Sequence, residues 1–131
     1  MKPEELLFAQ THEWAHIAEV DGAKVATIGI SANAVEALTD LVYMDLPDVG
    51  TPAAAGKTFG EVESVKATSD LYSPVDGEIV EVNTSLPDNL EILNSDPYVQ
   101  GWIIKVKLSS EDAVGKLMDF AAYQKMCDES S

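Results

Sequence analysis

The chain has 131 residues, of which 46% are hydrophobic, and its 23 acidic and eight basic residues give a formal charge of -15. That length suits one hydrophobic core of ordinary size, and the charge, with every basic residue a lysine, argues against nucleic acid or an anionic membrane as partner, since both select clustered positive charge. A single cysteine, Cys127, excludes an internal disulfide and a multi-cysteine zinc site. Apolar runs fall short of the roughly 20 residues that cross a bilayer, and Met1-Lys2-Pro3-Glu4-Glu5 has neither a signal-peptide nor a transit-peptide pattern.

Asp21-Gly22, between the apolar runs 14–20 and 25–30, predicts a hairpin turn. Ser31 stands as a cap before the helix-favouring Ala32-Asn33-Ala34-Val35-Glu36-Ala37-Leu38, so a short helix is expected near 31–38. Further short runs follow at 41–46, 59–65, 78–82 and 102–108, separated by Pro47, Gly50, Pro52, Gly56, Pro74 and Asp76-Gly77. In Ile104-Lys105-Val106-Lys107-Leu108 the apolar residues fall on alternate positions, which predicts a strand with one buried face. Many short strands at close spacing predict a mainly β sandwich or barrel in one domain over 1–131. From Ser110, acidic residues in the first turn and the stripe Val114, Leu117, Met118 and Ala121 predict a helix over about 110–126, with a frayed tail at 128–131.

Two motifs imitate catalytic sites. His12-Glu13-Trp14-Ala15-His16 spells a zinc hydrolase signature, which works only on a helix, where both histidines meet one metal. The residues up to the Asp21-Gly22 turn fit a strand, which holds positions 12 and 16 roughly 13 Å apart. Gly56-Lys57-Thr58 ends like a phosphate-binding loop, but Gly50 precedes it by one residue too many and a strand pattern follows. No catalytic residue and no metal site is assigned. Cys127, beside Asp128 and Glu129, is a poor nucleophile, because adjacent negative charge disfavours a thiolate.

The informative segment is 59–83. An apolar run leads to Lys66, flanked by small residues, and a second run ends at Asp76-Gly77. Taken alone, this reads as an exposed lysine at a bend between strands, and Lys66-Ala67 is not a favoured turn dipeptide. Several motifs stand together, in order: Thr11-His12-Glu13-Trp14, Met44-Asp45-Leu46-Pro47-Asp48-Val49-Gly50, Glu63-Ser64-Val65-Lys66-Ala67-Thr68-Ser69-Asp70, Ser73-Pro74-Val75-Asp76-Gly77-Glu78 and Asn94-Ser95-Asp96-Pro97-Tyr98. On these motifs the chain resembles the glycine cleavage system H-protein family over nearly its whole length.

The resemblance implies a barrel-sandwich hybrid of two antiparallel sheets and a non-enzymatic, monomeric carrier with lipoate bound as an amide to Lys66. Its implied partners are the pyridoxal-phosphate glycine decarboxylase, the tetrahydrofolate-dependent aminomethyltransferase, dihydrolipoyl dehydrogenase and the lipoate-attaching enzymes. Glu13 and Asp70 match positions near the loaded arm, and Glu63 and Gly77 match positions linked to presentation of the hairpin. The implied compartment is the cytoplasm for a bacterial chain and the mitochondrial matrix for a processed eukaryotic one. A lipoate-relay carrier of the same family is the alternative. Biotinyl domains share the fold, but they place their lysine between methionines, which Val65-Lys66-Ala67 lacks.

Overall fold

The computed structural model describes residues 3–38, 40–98 and 100–130. In chain order the strands are β1 (Leu7–Phe8), β2 (Glu13–Val20), β3 (Ala23–Ile30), β4 (Leu41–Asp45), β5 (Pro52–Ala53), β6 (Thr58–Ser64), β7 (Thr68–Tyr72), β8 (Asp76–Val82) and β9 (Ile104–Ser110). The helices are α1 (Ala32–Leu38), α2 (Glu91–Ser95) and α3 (Phe120–Ser130). The strands form an antiparallel sheet in the order β1-β2-β3-β9-β8-β5 and a second antiparallel sheet in the order β4-β6-β7. Neither sheet closes into a barrel.

Alternation of side chains builds the core. Ile104 and Val106 of β9 are fully buried while Lys107 is exposed. Lys105 keeps its ammonium at the edge, 3.7 Å from Glu81 Oε1 and 5.0 Å from the Trp102 ring centre. Ala26, Ile28, Ile79, Ile104 and Val106 from the larger sheet and Met44, Val62 and Leu71 from the smaller one share one core. Each of these isoleucine, valine, leucine and methionine side chains contributes about 2 kcal/mol by leaving water. A second cluster joins Leu6, Phe8, Trp14 and Tyr123, so it ties α3 to the start of β2.

The predicted hairpin closes as expected. Val20 pairs with Ala23, and Asp21 (φ 52°) and Gly22 (φ 80°) form the two-residue turn whose twist suits antiparallel strands. The segment Glu13-Trp14-Ala15-His16 is strand, so the helical geometry of the zinc signature is not present. Gly56-Lys57 is a turn that leads into β6.

The C-terminal helix differs from the expectation. The chain stays in β9 as far as Ser110, makes a single 3-10 turn at Val114–Lys116, and enters α3 only at Phe120. Two bonds decide this: Phe8 N–H donates to Met118 O at 2.7 Å, and Met118 N–H donates to Phe8 O at 2.8 Å. They hold Met118 in an extended bridge, and Asp119 then caps α3 by accepting the Ala122 N–H at Oδ1, 2.8 Å away. The 0-3-4-7 apolar spacing therefore serves two clusters: Val114 and Leu117 pack on the main core, and Met118 packs on the second. The helix continues through Asp128 and Glu129, where a frayed tail was expected. Of the expected domain limits, Met1, Lys2 and Ser131 lie outside the described residues.

Gly77, on β8 beside the β8–β9 register shift, pairs with Ala53 on one side and Leu108 on the other. A Cβ placed there would lie 2.1 Å from Lys107 O and 2.7 Å from Val106 Cγ1. Backbone cannot give way as a side-chain tip can, so Gly77→Ala should destabilise the fold by about 2 kcal/mol or more. Urea unfolding should show a lowered midpoint with an unchanged slope.

Candidate functional site

The hairpin of β6 and β7 pairs Glu63 with Thr68, Val62 with Ser69 and Glu61 with Asp70. Val65 and Lys66 form its apex between Ser64 and Ala67. The apex is fastened by Ser64. Its N–H donates to Ala67 O at 2.8 Å, its hydroxyl donates to the same oxygen at 3.2 Å, and its Oγ accepts from the amides of Lys66 (3.3 Å) and Ala67 (3.1 Å). Val65 N–H also donates to Asp40 O at 3.0 Å, which ties the apex to the chain before β4. The backbone is thus fixed while the side chains of Val65, Lys66 and Ala67 are exposed. Among the described residues the ion pairs are Lys24–Glu111 and Lys105–Glu81, and Lys66 is in neither.

Behind the apex, the outer face of the small sheet is acidic. Asp45, Glu61 and Asp70 face one another in a row across β4, β6 and β7. Glu63 lies in the next outward row, between half-exposed Tyr43 and Thr68. Like charges directly opposite on a sheet oppose pairing by up to about 1 kcal/mol, a cost that strand pairing alone does not explain.

Glu13, first residue of β2, is only 1% exposed. Its carboxylate accepts from the Thr11 hydroxyl and, at Oε2, from Tyr72 N–H at 3.3 Å. Burial pushes its carboxyl up to about 7, against these hydrogen bonds, which favour the ionised form. Thr11 and Tyr72 also border a cavity of about 570 Å³, together with Ser73, Pro74, Asp112 and Lys116. Glu13 therefore reaches β7 two residues beyond Asp70, which itself stands four residues, or roughly 13 Å of extended chain, beyond Lys66. Asp70 is exposed and Glu13 buried, so the two carboxyls do not share one environment. Lys66, Glu63 and Asp70 share the hairpin, whereas Gly77 lies on the larger sheet.

A group that sequence reasoning did not bring together, His12, Tyr123 and Ser31, stands behind Glu13. His12 has φ 79°, a left-handed backbone that costs a non-glycine residue on the order of 1 kcal/mol. Its Nδ1 lies 2.6 Å from Tyr123 Oη, and that oxygen lies 2.6 Å from Ser31 Oγ. Burial lowers the His12 pKa and raises that of Tyr123, which favours the neutral form of each. The donors balance if Tyr123 donates to His12, Ser31 donates to Tyr123, and Ser31 Oγ accepts the Ala34 N–H at 3.2 Å, capping α1.

A buried carboxyl that titrates near neutrality has a signed effect on stability. The folded protein binds the Glu13 proton more tightly than the unfolded chain does. Stability is therefore fullest below the ordinary carboxylate range and falls as pH rises from about 4.5 to about 7. Glu13→Gln removes this term. The variant should gain on the wild type, by an amount on the order of 3 kcal/mol, between pH 4 and pH 8 in paired denaturant titrations.

The family model "Glycine cleavage H-protein" matches residues 6–130. The "Glycine cleavage system H protein" of Rhodopirellula baltica is 62% identical over 128 residues, covering 98% of this chain and 96% of that one. The "Glycine cleavage system H protein 2, mitochondrial" of Arabidopsis thaliana is 52% identical over 125 residues, covering 95% of this chain and 78% of that one. The crystal structure of a glycine cleavage system H protein from Mycobacterium marinum superposes with a TM-score of 0.87 at 40% identity, over 97% of this chain and 99% of that one. With the exposed lysine on its fastened hairpin and a match that runs through both sheets and α3, the chain belongs to the glycine cleavage H-protein family.

Proposed function

We propose that the protein is the mobile carrier of the glycine cleavage system, with lipoate attached through an amide to Lys66. The observation that carries this reading is the apex itself: a lysine exposed at the tip of a turn whose backbone is fixed by Ser64 and Asp40. The residues fit the group. An amine outside the ion pairs is free to attack the carbonyl carbon of an activated lipoyl group held by a modifying enzyme, displacing the activating group, and exposed Val65 and Ala67 leave room around it. When bound, lipoate would supply a disulfide that is reduced as it takes up the aminomethyl group, and a dithiol that later gives up two electrons to the dehydrogenase.

The chain's own residues do the rest. Lys66 loses its charge on amide formation, which makes the carrier one unit more negative than -15. The Asp45–Glu61–Asp70 row gives the face beside Lys66 a negative field, which steers it to basic partner surfaces and makes association salt-sensitive. Those partners are the decarboxylase, the aminomethyltransferase and dihydrolipoyl dehydrogenase, each visited in turn, so docking is transient. Glu63, outward-facing three residues before Lys66, presents the turn to the lipoate-attaching enzymes, and Gly77 serves it indirectly by holding β8 close to β9. Glu13 receives the ammonium of the aminomethyl cargo. A carboxyl poised near 7 ionises when a cation arrives beside it, and the resulting charge-assisted bond strengthens in a site shielded from water. Asp70 acts at the exposed margin of that path.

Intact-mass analysis of protein from lipoate-replete cells should show one added lipoyl group, absent in Lys66→Ala, and the variant should support no glycine decarboxylation with the other components. A wild-type mass without the group, or a Lys66→Ala protein that still carries it, contradicts the assignment.

A further inference from the structure

We infer that Tyr123, on the C-terminal helix, is a positioning residue for Glu13: its hydroxyl holds His12 in the left-handed turn that aims the Glu13 carboxyl at β7. This inference rests on the proposed role of Glu13 toward the cargo. Tyr123 is 111 residues from His12 in sequence, yet its ring is 1% exposed and stacks on Phe8 at 4.4 Å and 9°. That stacking fixes the ring, and the ring fixes where the hydroxyl points.

The residues on both sides of Glu13 are pinned by the far end of the chain. On one side His12 Nδ1 meets Tyr123 Oη, and the His12 ring meets the Tyr123 ring edge-on at 5.6 Å. On the other side Trp14 Nε1–H donates to Pro97 O at 3.0 Å. Between them the turn closes on itself, because His12 N–H donates to Ala9 O (3.0 Å) and Ala9 N–H donates to Glu13 O (2.9 Å). Ser31 completes the frame: its N–H donates to His12 O at 2.8 Å and its Oγ meets the same tyrosine hydroxyl. A histidine with positive φ is out of its preferred conformation and reverts when its restraints are removed. Once His12 relaxes, the Cα–Cβ direction of Glu13 rotates, and its carboxyl leaves the Tyr72 amide. Within α3 the hydroxyl also meets the Cys127 thiol one turn on, whereas the stacking on Phe8 needs only the ring and phenylalanine would supply it equally well.

The test uses Tyr123→Phe, alone and in a His12→Gly background, where the backbone adopts the left-handed turn without help. The first readout needs no cofactor: hydrogen exchange of the Tyr72 amide, which donates to Glu13, with Val106 as the core reference. The second is the lifetime of the aminomethyl cargo on the lipoylated protein. Tyr123→Phe should speed Tyr72 exchange relative to Val106, and shorten the cargo lifetime, each by about fivefold or more, the scale of one lost hydrogen bond. In the His12→Gly background the same substitution should change neither. Unchanged Tyr72 exchange in Tyr123→Phe, or an equal effect with and without His12→Gly, would overturn the inference. Glu13→Gln separates the two ideas: if it leaves the cargo lifetime unaltered while Tyr123→Phe still loosens the Tyr72 amide, the cargo role of Glu13 fails and the positioning by Tyr123 stands.

Discussion

The molecule is organised around a contradiction that Ser64 resolves. A carrier lysine must be fully accessible, and an accessible loop is ordinarily loose. Here one hydroxyl accepts two amides and donates to a carbonyl within a four-residue turn, so the backbone is ordered without covering the side chain. The wider fold extends that fixation: the small sheet carries the turn, the shared core fixes the small sheet against the large one, and Val65 is tied across to Asp40. With lipoate on Lys66, as proposed, flexibility would be confined to the attached arm.

Two features run against stability, and the proposed carrier role accounts for both. The buried Glu13 carboxyl costs the fold stability as pH rises to neutrality, and an acidic row on the outer face of β4, β6 and β7 repels itself. Both touch β7: Glu13 through the Tyr72 amide and the row through Asp70. Proteins keep such violations of local rules where function needs them and offset them elsewhere, here through the two apolar clusters that clamp β2 from either side.

Much of this was legible in the residues. Short apolar runs between glycines and prolines marked the strands around 25–30, 41–46, 59–65, 78–82 and 102–108, and alternation showed which face of 104–108 is buried. Asp21-Gly22 and the Ser31 cap were legible because glycine at positive φ and a hydroxyl before a helix each have one dominant use. Two-residue strands, β1 and β5, were not, since so short a run shows no period. The start of the last helix was misplaced because the Phe8–Met118 bridge, which holds the chain extended, links residues 110 positions apart and leaves no local trace. The same holds for the site: the motif around Lys66 is contiguous, whereas the Tyr123–His12–Ser31 group assembles only on folding. Ser64 had a local signal in the tendency of serine to bond nearby turn amides, but Lys66-Ala67 drew attention as an unfavourable turn pair.

The central claim is that the backbone at Lys66 is rigid while the group it bears is free to travel. Backbone 15N relaxation on the lipoylated protein tests it most directly. Order parameters for Val65, Lys66 and Ala67 close to those of β6 and β7, about 0.8 or above, are the expected result. Values under about 0.6 at the apex, with rigid strands on either side, would contradict it.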